Sequence, residues 1–348
     1  MLDKLVAALI ALFTSVLSLI SPTSLVPRSV SLPTPSGENP AAVVVASNLE
    51  IPWAIAFLPN RNALFTERPG RLNLLTPAGQ VKLITQITDV KPVGEGGLLG
   101  LAIDPHFATN QFVYLYFTYQ TSGENTFNRV VRYVFDGSQL SQSQIIIDSI
   151  PGNLNHNGGR LKFGPDGKLY ITTGDAQNPS LAQNQSSLAG KILTWDGQRA
   201  EVYSLGHRNP QGLAWDEAGQ LWEVEHGPTA HDEINKIIRG ANYGWPTIVG
   251  TQTRLGMTGP VLQSGDATWA PSGMSYSNGA LYFAGLRGQT LYKFDLASSH
   301  LEEKFSGAYG RLRDVVIGPD NYIYLLTSNR DGRGVVRLND DLIVKVRL

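Results

Sequence analysis

The sequence predicts an all-β fold, a six-bladed β-propeller of four-stranded antiparallel blades, on three observations. A strand–turn–strand unit recurs six times, as IAFLPNRNALFTE, LAIDPHFATNQFVYLYF, LKFGPDGKLYITTG, LAWDEAGQLWEVEHG, MSYSNGALYFAG and VVIGPDNYIYLLTSN. Its turn residues Asn60, Asp104, Asp166, Asp216, Asn278 and Asp320 recur at intervals of roughly 40–60 residues, the length of one blade with its loops. The 36 Gly and 20 Pro are spread along the chain, as many short turns require.

Each element has a local reason. The run from Phe112 to Phe117 is apolar on both faces of a strand, so its sheet must be covered twice. Stacking blades around an axis covers both faces and leaves only short edges. Two stacked sheets are the rival arrangement, and the repeated turn signature favours the ring. In the third unit Pro165-Asp166-Gly167 supplies the turn and Lys168 to Thr172 the following strand. Near the C-terminus, 334–338 (GVVRL) and 342–346 (LIVKV) are expected strands that complete a blade begun near the N-terminus. The best helix candidate is Asp232 to Gly240, DEINKIIRG, ending at glycine.

Ahead of the repeats, Leu5 to Ile20 is apolar except for Thr14, Ser15 and Ser18, short for a membrane span and suited to a secretory leader. Residues 1–24 are read as a signal peptide or N-terminal anchor, 25–47 as a Pro/Ser-rich linker and 48–348 as the propeller. Export to the periplasm or medium is expected, with a retained membrane anchor as the alternative.

Charged residues make up 16% of the chain and the net charge is −1, which gives no electrostatic ground for a nucleic-acid partner. The absence of cysteine excludes thiol nucleophiles, disulfides and Cys-ligated metals. Oxygen-ligated metals stay open.

Propellers place ligand sites where loops from several blades converge on the channel mouth, so site residues should be scattered along the sequence. The loops fit. VGEGGLLG sets Glu95 among glycines, and NLNHNGGR sets His156 in a polar run where Gly158 and Gly159 allow close backbone approach. GHRNPQG offers Arg208 and Asn209, EHGPTAHDEIN offers acidic and Gly-Pro backbone positions, and later loops offer Trp269, Arg287, Arg311 and Arg313. Singly, a loop arginine is a solvated surface group and a loop histidine a locally bonded one. Together, four arginines on one face call for a ligand with several carboxylates or phosphates, which guanidinium forks pair with bidentately, and leave histidine available as a base.

From about Asn48 onward, in order, NHNGGRLKFGPDGKLYITTGD, GHRNPQGLAWD, EHGP with DEIN and NYGWP, APSGM, LRG and GRLRD resemble the soluble aldose sugar dehydrogenases dependent on pyrroloquinoline quinone, the glucose/sorbosone dehydrogenase family. The resemblance implies an oxidoreductase that converts aldoses to lactones at C1 and passes electrons to an external acceptor. His156 would be the base for the anomeric hydroxyl while hydride passes to the quinone, and Arg208 would stabilise charge developing on the quinone. Asn209, Arg287, Arg311 and Arg313 would hold the cofactor, Trp269 would wall the cleft, and Glu95 would stand near the substrate where other members have glutamine. Calcium would bind the backbone carbonyls of Gly227 and Pro228, and a second, structural calcium would use Glu233 and the carbonyl of Tyr243. Asn155 replaces an aspartate of some glucose dehydrogenases, removing an orienting charge from His156. A monomer or homodimer is expected. The other functions weighed are a calcium-dependent lactonase or hydrolase, for which cleft carboxylates are sparse, and a non-catalytic propeller that binds carbohydrate or protein.

Overall fold

A computed structural model describes residues 42–347; the expected leader, and the linker as far as residue 41, lie outside them. Six four-stranded antiparallel sheets form, one per repeat unit. Setting aside β1 (Ala42–Ala46), the first blade runs β2 (Pro52–Phe57), β3 (Ala63–Glu67), β4 (Arg71–Leu75) and β5 (Val81–Gln86), each strand pairing with the next. The second uses β6 (Leu98–Ile103), β7 (Phe112–Gln120), β8 (Thr126–Phe135) and β9 (Leu140–Pro151). The third is β10 (Leu161–Phe163), β11 (Leu169–Thr173), β12 (Lys191–Trp195) and β13 (Ala200–Leu205). The fourth is β14 (Pro210–Trp215), β15 (Leu221–Glu225), β16 (Glu233–Lys236) and β17 (Leu262–Gln263). The fifth is β18 (Pro271–Ser277), β19 (Ala280–Gly285), β20 (Leu291–Asp295) and β21 (Leu301–Lys304).

The sixth blade closes the ring. It takes β22 (Leu312–Ile317), β23 (Ile323–Thr327) and β24 (Ile343–Val346) from the end of the described chain and β1 from its start, with Val44 paired to Val344. Backbone ladder bonds therefore close the circle, and the propeller begins at Ala42, inside what the sequence assigns to linker. The expected strand at 334–338 is instead loop, with Val335 and Leu338 exposed. The 342–346 run had the better claim, since Ile343, Val344 and Val346 are all buried and β24 pairs on both sides.

Burial follows blade contacts as the two-faced strands require. One cluster around Trp53, Leu98, Tyr116, Phe117 and Ile171 joins the first three blades, and Phe65 with Leu326 and Ile343 joins the sixth to the first. The expected helix at Asp232 to Gly240 does not form. Residues 233–236 are β16, where Ile234 pairs with Val224 and is fully buried. The open edge of β15 needs a ladder partner more than this segment needs its own helical bonds, a tertiary demand that local pattern does not show.

Candidate active site

In all six blades the first strand is innermost, so the loops preceding β6, β10, β14, β18 and β22 meet at one mouth of the channel. With the β15–β16, β19–β20 and β23–β24 loops they enclose a cavity of about 310 Å³ lined by Glu95, His156, Arg208, Gly227, Pro228, Arg287, Arg311 and Arg313, with Asn155, Gln211, His226, Asp232, Ala270 and Arg333 among the other lining groups. Eight of the residues singled out from sequence thus share one space.

His156 is held by a tight local framework. Its backbone is left-handed, with φ of 60°, and its N–H donates to Glu95 Oε2 at 3.1 Å. A Cβ on Gly174 would lie 1.9 Å from the His156 carbonyl oxygen, so this close approach requires glycine. The imidazole Nδ1 lies 2.7 Å from Asp175 Oδ1, whose carboxylate is fully buried and also accepts from Trp245 Nε1 at 2.8 Å. A carboxylate only accepts, so the ring proton sits on Nδ1 and Nε2 is the basic nitrogen. Asp175 therefore orients the ring, and the loss of charge expected from Asn155 is made good from another position.

Positive charge dominates the rest of the cavity. Arg311 is engaged by Asp331, with Nε and Nη2 at 3.0 and 2.8 Å from the same oxygen. Arg313 is buried and bonds only neutral groups, Gln211 at 2.8 Å and Ser272 at 3.3 Å; burial pushes its guanidinium down to about 9. Its Nε, with Arg208 Nε and Asn209 Nδ2, is a buried donor without a partner among the described residues. Unpaired donors and an uncompensated buried cation are costly alone and are relieved by an anion with several acceptor oxygens. Burial favours protonation of the Glu95 carboxyl, but the Arg333 hydrogen bond, nearby His226 and the His156 amide bring it down to about 2. Burial lowers His226 to about 4, and its Nε2 donates to the Pro271 carbonyl at 2.8 Å.

Acidic groups mount the site from behind. Glu225 Oε2 accepts from the backbone N–H groups of Arg208 and Asn209 at 2.6 and 3.3 Å, and Oε1 lies 3.0 Å from His207 Nδ1. Asp232 Oδ1 accepts from the Gly227 amide at 2.9 Å while Oδ2 accepts from the amides of Trp269 and Ala270 at 2.6 and 2.8 Å, tying two loops together. Beside the main cavity lies a space of about 10 Å³, lined by Gly227, Pro228, Glu225, Glu233, Tyr243 and Trp245, enough for one ion or water. Burial, then the neighbouring Glu225 charge, pushes Glu233 up to about 8, which a bound cation would reverse.

Two expectations need correction or refinement. The Trp269 ring does not wall the cleft: it is buried against Phe283 and Tyr292, and Thr268 and Ala270 line the cavity in its place. Asn209 is fully buried behind the lining, where its Oδ1 accepts from the Gly158 amide at 3.1 Å. Sequence reasoning also missed Asp175, Asp232 and Arg333. Asp175 closes the very stretch that contains His156, and a carboxylate directly after a strand and glycine is the one signal that pointed to it.

The fold and site define a propeller enzyme cleft built for a polyanion beside a carboxylate-oriented histidine. Residues 49–339 match the family model for glucose/sorbosone dehydrogenases. The chain belongs to the glucose/sorbosone dehydrogenase family. It is similar to the aldose sugar dehydrogenase of Escherichia coli, 31% identical over 83% of this chain and 90% of that one. Quinoprotein glucose dehydrogenase B of Acinetobacter calcoaceticus is 32% identical over 61% of this chain and 54% of its own. The solved structure of aldose sugar dehydrogenase from Streptomyces coelicolor in its PQQ-bound form superposes with a TM-score of 0.81 at 37% identity, covering 88% of this chain and 97% of that one.

Proposed function

We propose that the protein oxidises aldoses at C1 to lactones with pyrroloquinoline quinone and calcium, and that the electrons leave to an external acceptor. The observation that supports it most is the pairing of His156 with Asp175 at the edge of a cavity whose buried Arg313 has no anionic hydrogen-bond partner. When bound, the quinone supplies a hydride acceptor and calcium a Lewis acid that polarises it. Arg208, Arg287, Arg311 and Arg313 would hold its carboxylates and polar edge, with Asn209 behind them. The carbonyls of Gly227 and Pro228 would hold calcium, and Glu233 with Tyr243 a second ion. His156 Nε2 would take the C1 hydroxyl proton as the C1 hydrogen departs with its electron pair. Asp175 would steady the imidazolium so formed.

The test is the absorption spectrum of protein reconstituted with quinone and calcium, before and after sugar. Reduction of the bound quinone by aldoses is expected; a bound quinone that no aldose reduces would overturn the reading. For Asp175→Asn, kcat should fall by roughly 10–10² with cofactor affinity retained, because asparagine holds the ring but cannot balance its charge. Stopped-flow quinone reduction measures this directly.

The protein is also proposed to work outside the cytoplasm, as the apolar start of the chain suggests. Among the described residues no helix is long and apolar enough to cross a membrane. Localisation of the tagged full chain by cell fractionation tests this.

A further inference from the structure

Arg333 lies on the loop between β23 and β24, far in sequence from the other groups beside His156, yet it lines the same cavity. Its Nη1 donates to Glu95 Oε1 and its Nη2 to Asn155 Oδ1 at 2.6 Å. Glu95 in turn takes the His156 backbone N–H on its other oxygen, and the Glu95 amide donates to the Leu154 carbonyl at 2.6 Å. One guanidinium from the sixth blade thus clasps the loops of the second and third blades on the open side of His156. The two residues it holds differ in charge, Glu95 being anionic and Asn155 neutral.

Arg333 joins these two residues, and their charges suit it. Glutamine at position 95 would offer no charge to a guanidinium, and aspartate at 155 would compete for it. With glutamate and asparagine, one planar fork spans an anionic and a neutral acceptor, which a lysine point charge does not match. The loop that presents Arg333 is itself fastened below: Asp331 accepts from the Arg333 amide at 2.9 Å while pairing with Arg311. The clasp is therefore built from the cofactor side upward, and its half-exposed guanidinium faces the open mouth.

Resting on the reading of the cleft as a sugar site, we propose that Arg333 is a specificity-determining residue: by clasping Glu95 and Asn155 it fixes the wall against which the reducing-end sugar ring lies beside His156. It acts on substrate fit and leaves the bond-breaking step to His156. Removing it should cost binding more than chemistry and should open the cleft to bulkier sugars.

The experiment uses the reconstituted full chain and its Arg333→Ala, Arg333→Lys and Glu95→Gln variants, with an aldohexose and a disaccharide carrying the same reducing end. For Arg333→Ala, KM for the monosaccharide should rise about tenfold while kcat moves by less than about threefold. Preference should shift toward the disaccharide, and Arg333→Lys should restore only part of the KM. Adding Arg333→Ala to Glu95→Gln should change KM much less than it does in the parent, because the clasp is already broken. In cofactor-free protein, hydrogen exchange at the His156 amide should quicken in Arg333→Ala. An unchanged KM and selectivity, a fall confined to kcat, or unaltered exchange would each overturn the proposal. Parent protein that oxidises no aldose would remove the sugar reading and this inference with it, whereas normal parent turnover with an indifferent Arg333 would remove the inference alone.

Discussion

Replacing His156 with glutamine is expected to lower turnover by roughly 10²–10⁴, the usual worth of a positioned general base, while quinone still binds. Glutamine can occupy the space beside Asp175 and accept or donate a hydrogen bond, but it cannot hold the proton removed from the sugar. Single-turnover quinone reduction measures the rate and a fluorescence titration the affinity. Unchanged turnover would take His156 out of the role. The variant leaves the loop in place, since the bonds that set its shape run through the His156 amide and carbonyl to Glu95 and Ala176.

The second large effect is on cofactor binding. Arg313→Met should weaken quinone affinity on the order of 10–10²-fold, the loss of one or more charge-assisted hydrogen bonds in a buried site. Arg313 is the choice over Arg311, because Asp331 already satisfies Arg311 and its removal would strand that carboxylate. The sign on stability is opposite. Arg313 is a buried cation with neutral hydrogen-bond partners only, so the cofactor-free Met variant should melt at the same temperature or higher. Gln211 keeps a partner, as Ser272 still donates to its side chain at 3.0 Å. Loss of affinity together with a lowered melting point would instead mark Arg313 as structural.

The residues around the cleft differ in how visible they were in the sequence. His156 and the arginines could be picked out because each stands in a glycine-rich or polar loop next to a strand, where a charged side chain has no core to serve. Asp175 was hidden in plain view: it follows a strand as many structural aspartates do, and only its 2.7 Å contact with the imidazole separates it from them. Arg333 had no local signal at all. Its loop reads as a continuation of the last strand, and its partners lie on the second and third blades. Trp269 misled in the other direction, since an aromatic in a site loop is equally suited to the core beneath it, which is where the ring packs.

What the sequence alone determined was the repeating unit: strands apolar on both faces, separated by recurring Asn, Asp, Gly and Pro turns, whose two faces stacking in a ring would cover. From that came six blades, a channel mouth and the loops that must face it. Tertiary structure decided which end closes the ring, through the Val44 to Val344 pairing, and which segment became β16. It also decided which acids answer which bases, joining Glu95 to Arg333, His156 to Asp175 and Arg311 to Asp331. Period and turn chemistry are written within a few neighbouring residues, whereas the charge balance of a cleft is set by groups that folding brings together, as Arg333 of the sixth blade meets Glu95 of the second.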